Sequence, residues 1–301
     1  MKLTCPACGT AAVELDRICE QGCVCARCGF LLRKQDGIVR ALAPDRQAFY
    51  QRFLADYGTI RSAEGRGSND REYYLALPYQ DLSRQNSDQW RIRARSYRYF
   101  ESKLLNGSGL DILDLGAGNG WMSYRLSQRG DRPVAVDIFT DALDGLAAAR
   151  DYGMFPVVEA EFDRLPFEDG QFDLVVFNSS FHYSTDYHAT LREARRCLKQ
   201  SGRIVVLDTP LYKLKEHGDK MRSERHAYFQ SRYGFASDSV ANLEFLYESQ
   251  LSELSRDLSL RWKIYQPWYG WQWHLRPWKA RIQGRRPPSR FCILEASFPN
   301  Q

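Results

Sequence analysis

Short apolar segments alternate with amphipathic helical segments through the middle of this 301-residue chain. The apolar runs predict buried strands at 110–114, 133–137, 155–158, 172–177 and 203–207. The helical periodicity predicts helices at 120–129, 140–150 and 186–199. Strands that alternate with helices in this way predict a parallel sheet that is covered on both faces.

The pattern changes on either side of this region. After it, residues 239–256 predict an amphipathic helix, and 258–265 and 289–296 predict two further strands, which bring the sheet to seven. The regions at about 211–237 and 266–288 are basic and aromatic, and we interpret them as insertions that face a substrate. Before it, we expect a cysteine-rich unit at 1–44 and a helical linker or cap at 45–105, with the α/β domain at 106–301.

Composition excludes several classes of protein. The formal net charge of +5 comes from dispersed Lys and Arg, so it permits nucleic-acid binding without requiring it. No apolar run approaches the roughly 20 residues of a membrane span. The first residues lack the apolar stretch of a signal peptide. We therefore expect a cytoplasmic protein with no membrane contact.

Most of the eight cysteines lie within the first 28 residues. Two Cys-x-x-Cys-Gly knuckles can each place two thiolates on one ion, and four thiolates in tetrahedral geometry suit zinc. The predicted ligands of this structural zinc are Cys5, Cys8, Cys25 and Cys28. Cys19 and Cys23 are surplus, and Cys23 could replace Cys25 as a ligand.

A glycine-rich segment follows the first strand of the α/β domain. The strand ends at Asp114, and Gly116, Gly118 and Gly120 lead into a helix. Glycines at these positions let the backbone approach a ligand closely, at the edge where open parallel sheets bind nucleotides. Asp137 ends the next strand, where its carboxylate can accept hydrogen bonds from ribose hydroxyls. NAD and S-adenosylmethionine fit these features equally well.

The motifs that follow separate these two cofactors. Glu161 to Asp163, Leu165-Pro166-Phe167 and Phe172 to Val175 come after the glycine segment in order. Over about residues 108–210 the series resembles the class I S-adenosylmethionine-dependent methyltransferases of the UbiE type. The resemblance implies a Rossmann-like, seven-stranded sheet with helices on both faces.

The resemblance also implies site residues for S-adenosylmethionine. Asp114 and the glycine backbone would hold the methionine part, Asp137 the ribose, and Ile138 the adenine face. Glu161 stands where the family usually has Asp near the adenine amine, and Phe162 would offer its backbone N–H to the ring. The cofactor-binding residues implied are Asp114, Gly116, Ala117, Gly118, Gly120, Asp137, Ile138, Glu161, Phe162 and Asn178.

The acceptor side is less defined by the sequence. Residues 178–181 have the spacing of the Asn-Pro-Pro-aromatic motif of amino-group methyltransferases, but both prolines are absent. His182 is the best candidate for a base that removes the acceptor's proton. His217, His226 and His274 could serve equally, since they lie in the variable C-terminal part.

Three functions are compatible with these features. The leading hypothesis is methyl transfer to a small or medium organic acceptor in an aromatic-lined pocket. The second is methylation of rRNA or tRNA, in which the zinc ribbon and the basic C-terminal part would bind RNA. Cys28-Gly29-Phe30 followed by Asp36-Gly37-Ile38 resembles the small zinc-ribbon activators of RNA and protein methyltransferases. The third is a non-catalytic or partner-activating module. No obligate protein partner is evident from the sequence.

Overall fold

The computed structural model describes residues 1–10 and 13–299. Its strands, β1 to β13, are Lys2–Leu3, Val13–Glu14, Cys23–Val24, Leu31–Gln35, Ile38–Arg40, Asp111–Leu115, Arg132–Asp137, Val157–Glu159, Phe172–Asn178, Leu198–Tyr212, Leu246–Tyr247, Arg261–Tyr265 and Arg290–Ser297. Its α-helices, α1 to α9, are Pro44–Ala63, Arg71–Ala76, Ser87–Leu104, Trp121–Gln128, Tyr187–Cys197, Lys215–Tyr233, Glu248–Asp257, Trp271–His274 and Arg276–Ile282. Short 3₁₀ helices span Leu15–Arg17, Leu146–Asp151 and Phe181–Tyr183.

The centre of the molecule is the predicted seven-stranded sheet. Its strands lie in the order β12-β13-β10-β9-β6-β7-β8, and the five from β10 to β8 run parallel. The two last strands of the chain, β12 and β13, pair antiparallel at one edge. Central strands such as Asp111–Leu115 are almost fully buried because helices cover both faces. The predicted fold class is confirmed.

The cysteine-rich N-terminal unit extends this sheet at its other edge. Strand β5 pairs in parallel with β8, and β4 and β3 continue the sheet outward in antiparallel order. Leu3 and Val39 are buried in the same apolar core as the α/β domain. The unit is therefore packed as part of the sheet rather than as a separate appendage.

Three predicted segments differ from the structure. The helix expected at 239–256 begins only at Glu248, directly after the short strand β11. The helix expected at 140–150 is reduced to the 3₁₀ helix Leu146–Asp151, because the Asp141 carboxylate accepts from the backbone N–H groups of Leu143 and Asp144 and holds a turn there. The segment 211–237, which shows no clear period, contains the long helix α6. Few of its residues are buried, so no apolar stripe marks it in the sequence.

Three elements form a cap over the carboxyl ends of the parallel strands. They are α1 and α3 from the region before the sheet and α6 from the region after β10. No helix within the described residues has both the length and the apolar character needed to cross a bilayer.

Candidate active site

One cavity of about 560 Å³ extends from the glycine-rich loop to the cap helices. This volume lies within the range of roughly 300–1,000 Å³ typical of small-molecule sites. The loop turns tightly because Gly116, Gly118 and Gly120 all have positive φ angles. A Cβ atom at Gly116 would lie 2.2 Å from the Cβ atom of Ser180, so any other residue would displace the loop.

Asp137 fastens this loop to the end of β7. One of its carboxylate oxygens accepts from the Gly118 N–H at 2.8 Å, and the other accepts from the Phe139 N–H at 2.9 Å. The side chain lines the cavity, and burial raises the pKa of its carboxyl group. Asp137 therefore fixes the loop and lies on the cavity wall, and its role at the ribose remains a prediction.

Asp114 lies beneath the loop rather than on the cavity wall. It is fully buried, and its Oδ2 atom accepts from the Ser123 hydroxyl at 2.7 Å, while Oδ1 has no partner among the described residues. Burial raises the pKa of Asp114 to about 7. Of the ten predicted cofactor residues, Asp114 and Gly120 are the two that do not line the cavity.

Glu161 is held by the first cap helix. The Arg46 guanidinium donates to both carboxylate oxygens, at 3.0 and 2.8 Å, and the Tyr50 hydroxyl donates to Oε2 at 3.1 Å. Arg46 lies only a few residues after strand β5. The N-terminal unit is therefore connected through the chain to this end of the cavity. Sequence analysis did not identify Arg46, because its partner lies far away in the chain.

Aromatic side chains line the half of the cavity that faces the cap. Tyr183 meets Phe53 and Tyr57 edge-on, and Phe53 and Tyr57 stack on each other. Trp90 and Trp273 lie on other parts of the wall. The predicted aromatic lining is present, and the cap helices contribute more of it than the C-terminal segment does.

Arginines provide the positive charge of this half. Arg61 pairs with Asp144, Arg66 with Glu64 and Arg225 with Glu244. The four arginines on the wall are Arg61, Arg66, Arg93 and Arg225.

Arg93 differs from the other three because it makes no ion pair or hydrogen bond with any described residue. Its guanidinium carbon lies 4.7 Å from the centre of the Trp90 ring. Burial, together with the nearby charges of Arg66 and Arg61, lowers the pKa of Arg93 to about 10. It therefore remains charged at neutral pH.

His182 and Asp208 are two further titratable groups on the cavity wall. His182 is buried, its Nδ1 atom has no partner within the described chain, and burial lowers its pKa to about 3. Asp208 accepts a hydrogen bond from the Ser96 hydroxyl and lines the cavity. Burial raises the pKa of Asp208 to about 6. His182 as the base remains a prediction.

The backbone is strained next to these groups. Ser179 and Asp208 follow neighbouring strand segments and have φ angles of 55° and 51°, in the left-handed region that favours glycine. Asp208 lies where the register between β10 and β13 shifts. Strain of this kind tends to occur at functional sites. In the sequence, the only sign of Asp208 is a carboxylate that interrupts an apolar strand.

The buried carboxylate of Asp208 should reduce stability at neutral pH. An unfolded Asp has a pKa of about 3.9, so between that pH and about 6 the folded state binds more protons. The ionised group therefore destabilises the fold increasingly as pH rises through this window. We expect Asp208→Asn, which keeps an acceptor for Ser96, to raise the free energy of unfolding by about 2 kcal/mol at pH 8 and by less at pH 5. Thermal denaturation at both pH values measures this, and a variant less stable at pH 8 contradicts it.

The cysteine cluster lies at the far end of the extended sheet. The Cys5 and Cys28 sulfurs are 3.5 Å apart, those of Cys8 and Cys25 are 3.6 Å apart, and all four lie within 4.8 Å of one another. Four sulfurs around a zinc ion at about 2.3 Å would be separated by about 3.8 Å, so this donor set fits tetrahedral zinc. Cys23 is not part of the cluster.

Comparisons with known proteins agree with this site. Residues 113–206 match the family model described as a methyltransferase domain. Demethylmenaquinone methyltransferase from Mycolicibacterium vanbaalenii is 38% identical over 105 residues, which cover 34% of this chain and 44% of that protein. Malonyl-acyl-carrier-protein O-methyltransferase from Geobacter sulfurreducens is 31% identical over 157 residues, which cover 50% of this chain and 52% of that protein. The chain thus spans about half the length of these curated relatives.

A solved structure extends the agreement to the fold. A Pyrococcus horikoshii protein superposes with a TM-score of 0.50 at 21% identity, over 76% of this chain and 98% of its own. This likeness concerns the fold alone. Residues 113–206 match a methyltransferase domain, and with the named relatives they support an S-adenosylmethionine-dependent methyltransferase, as the motifs predicted.

Proposed function

We propose that the protein transfers a methyl group from S-adenosylmethionine to a small or medium organic acceptor that carries a carboxylate. The observation that supports this proposal is the single cavity shared by the glycine-rich loop and the aromatic cap. A cofactor on the loop would direct its sulfonium into the capped half. The relatives named above include a quinone and an acyl-carrier substrate in their names, and neither identifies the acceptor here.

Arg93 is the feature that suggests a carboxylate. The other cavity arginines are each paired with an acid, so one guanidinium remains free to bind a ligand. One free positive charge balances a carboxylate and leaves a phosphate dianion only half neutralised. Arginine presents its donors in a fixed fork that matches a carboxylate in two parallel hydrogen bonds.

The acceptor's own nucleophile would lie beside Asp208 and His182. The sulfonium is an activated electrophile, so the protein needs to align the acceptor, exclude water and receive its proton. The raised pKa of Asp208 places it near the working pH of a general base, whereas the pKa of His182, at about 3, makes it a weak one. His182 would then act as a neutral hydrogen-bonding group.

Zinc would be structural in this proposal. Four thiolates would close its coordination sphere and leave no position open for a substrate. The ion would hold the N-terminal unit against the sheet, at a distance from the reacting groups.

Transfer of labelled methyl groups to fractionated cell extract tests the proposal. We expect label in the small-molecule fraction, a loss of about tenfold in Arg93→Met, and no loss in Arg91→Met, whose side chain is exposed on the same helix. Both variants should bind S-adenosylhomocysteine like the wild type. Label only in RNA would contradict the acceptor class, and no cofactor binding would contradict the enzyme itself.

A further inference from the structure

Helices α8 and α9 expose a continuous apolar stripe. The backbone N–H groups of Leu275 and Lys279 donate to the carbonyls of Trp271 and Leu275, so residues 271–282 follow one nearly continuous helical path. The stripe consists of Trp271, Leu275, Trp278 and Ile282, which are 50 to 76% exposed. At 100° per residue these positions fall within an arc of about 60° on one side of the helix.

This arrangement is the reverse of an ordinary surface helix. An amphipathic helix normally buries its apolar side and exposes its polar side. Here the exposed side carries two tryptophans, a leucine and an isoleucine. Contiguous exposed patches of this kind mark surfaces that bind a protein or a membrane.

The charged residues of the segment that carries the stripe are all positive, and of these Arg286 and Arg290 pair with Glu224 and Glu248 of other helices. Residues 258–294 contain no Asp or Glu. Lys279 and Arg281 project at about 80° on either side of the stripe, and Arg285 follows directly after the helix. These three side chains are exposed and form no ion pair or side-chain hydrogen bond with any other described residue.

We propose that this stripe docks the protein on an anionic lipid surface. Tryptophan prefers the interface between headgroups and acyl chains, and lysine and arginine beside an apolar stripe reach the headgroups with their charges. A lipid surface supplies negative charge on both sides of the stripe at once. Cations that flank a stripe symmetrically match such a surface better than a protein partner with charges at fixed points.

The opposite side of the same helix belongs to the cavity wall. Trp273 packs on Phe291 with ring centres 5.2 Å apart, and both side chains line the cavity. The Arg276 guanidinium carbon lies over the Trp273 ring, 3.5 Å from its centre. Docking would therefore bring the acceptor half of the cavity next to the lipid, although the docking itself does not depend on the proposed reaction.

Vesicle sedimentation of the full chain tests the proposal. We expect binding to vesicles that contain phosphatidylglycerol, little binding to pure phosphatidylcholine, and a decrease with added salt. The double variant Trp278→Ser, Ile282→Ser should lower the partition coefficient at least about tenfold. The double variant Lys279→Gln, Arg281→Gln should remove the preference for the anionic vesicles.

Controls separate docking from folding and from self-association. Met154→Ser removes an exposed apolar side chain outside the stripe and should leave vesicle binding unchanged. Calorimetry with S-adenosylhomocysteine shows that each variant is folded. The proposal is overturned if anionic vesicles do not bind, if the serine variant binds equally well, or if analytical ultracentrifugation shows a dimer that this variant dissociates.

Discussion

Replacing Asp137 with alanine is expected to weaken the binding of S-adenosylmethionine at least about 100-fold. The wild-type carboxylate accepts from the backbone N–H groups of Gly118 and Phe139 and so fixes the glycine-rich loop. In the proposed site it would also supply the acceptors for the ribose hydroxyls. Hydrogen bonds to a charged group contribute about 1.5–3 kcal/mol each, and a 100-fold change corresponds to about 2.7 kcal/mol.

Isothermal titration calorimetry with the cofactor measures this effect. Burial already raises the pKa of Asp137, so its removal relieves an unfavourable charge and should not unfold the domain. Circular dichroism would verify this for the variant. Asp88→Ala, which removes an exposed carboxylate on a cap helix, should bind like the wild type. If Asp137→Ala binds within fivefold of the wild type, the proposed role of this residue is wrong.

Loss of the cysteine cluster is expected to have the second large effect. We predict that the wild type holds about one zinc per chain and that Cys25→Ser holds almost none. The free energy of unfolding should fall by at least about 3 kcal/mol, a small part of the roughly 10–16 kcal/mol that zinc supplies to isolated zinc fingers. The effect should extend beyond the N-terminal unit because its strand β5 pairs with β8 of the central sheet.

Cofactor affinity should fall in the same variant. The chain runs from β5 directly into the helix that carries Arg46, and Arg46 holds Glu161 on the cavity wall. A loosened N-terminal unit would therefore release one side of the cofactor site. Cys19→Ser is the matched control, since Cys19 is exposed and outside the cluster. Metal analysis, urea denaturation and calorimetry are the measurements, and a Cys25→Ser protein with full zinc content contradicts the prediction.

The parallel strands and the cofactor loop were predictable because their signals are local. A predicted strand that ends in Asp114 and is followed by three glycines can be recognised from one short segment of sequence. The same holds for the Cys-x-x-Cys knuckles, whose spacing suits one tetrahedral ion. These features depend on neighbouring residues, so tertiary contacts do not change them.

Helices before the sheet were predicted as a linker or cap, but the charges that they bring to the cavity were not predictable because their signals are distant. Arg93 looks like any other arginine on an amphipathic helix, and only the fold shows that it faces the cavity without a partner. Asp208 depends on a register shift between two strands, and sequence periodicity carries no trace of that shift. The pairing of β5 with β8 joins two segments whose sequences give no indication of each other.

During synthesis, strand Ile38–Arg40 leaves the ribosome long before its partner Val157–Glu159 is made. The N-terminal unit must therefore keep the edge of β5 unpaired while the first two cap helices and two central strands are synthesised. Two strands so far apart in sequence pair late and slow folding, because the intervening chain must first lose conformational entropy. A metal-bound N-terminal unit would offer that late strand an already ordered template, so zinc supply would influence the yield of folded protein as well as its final stability.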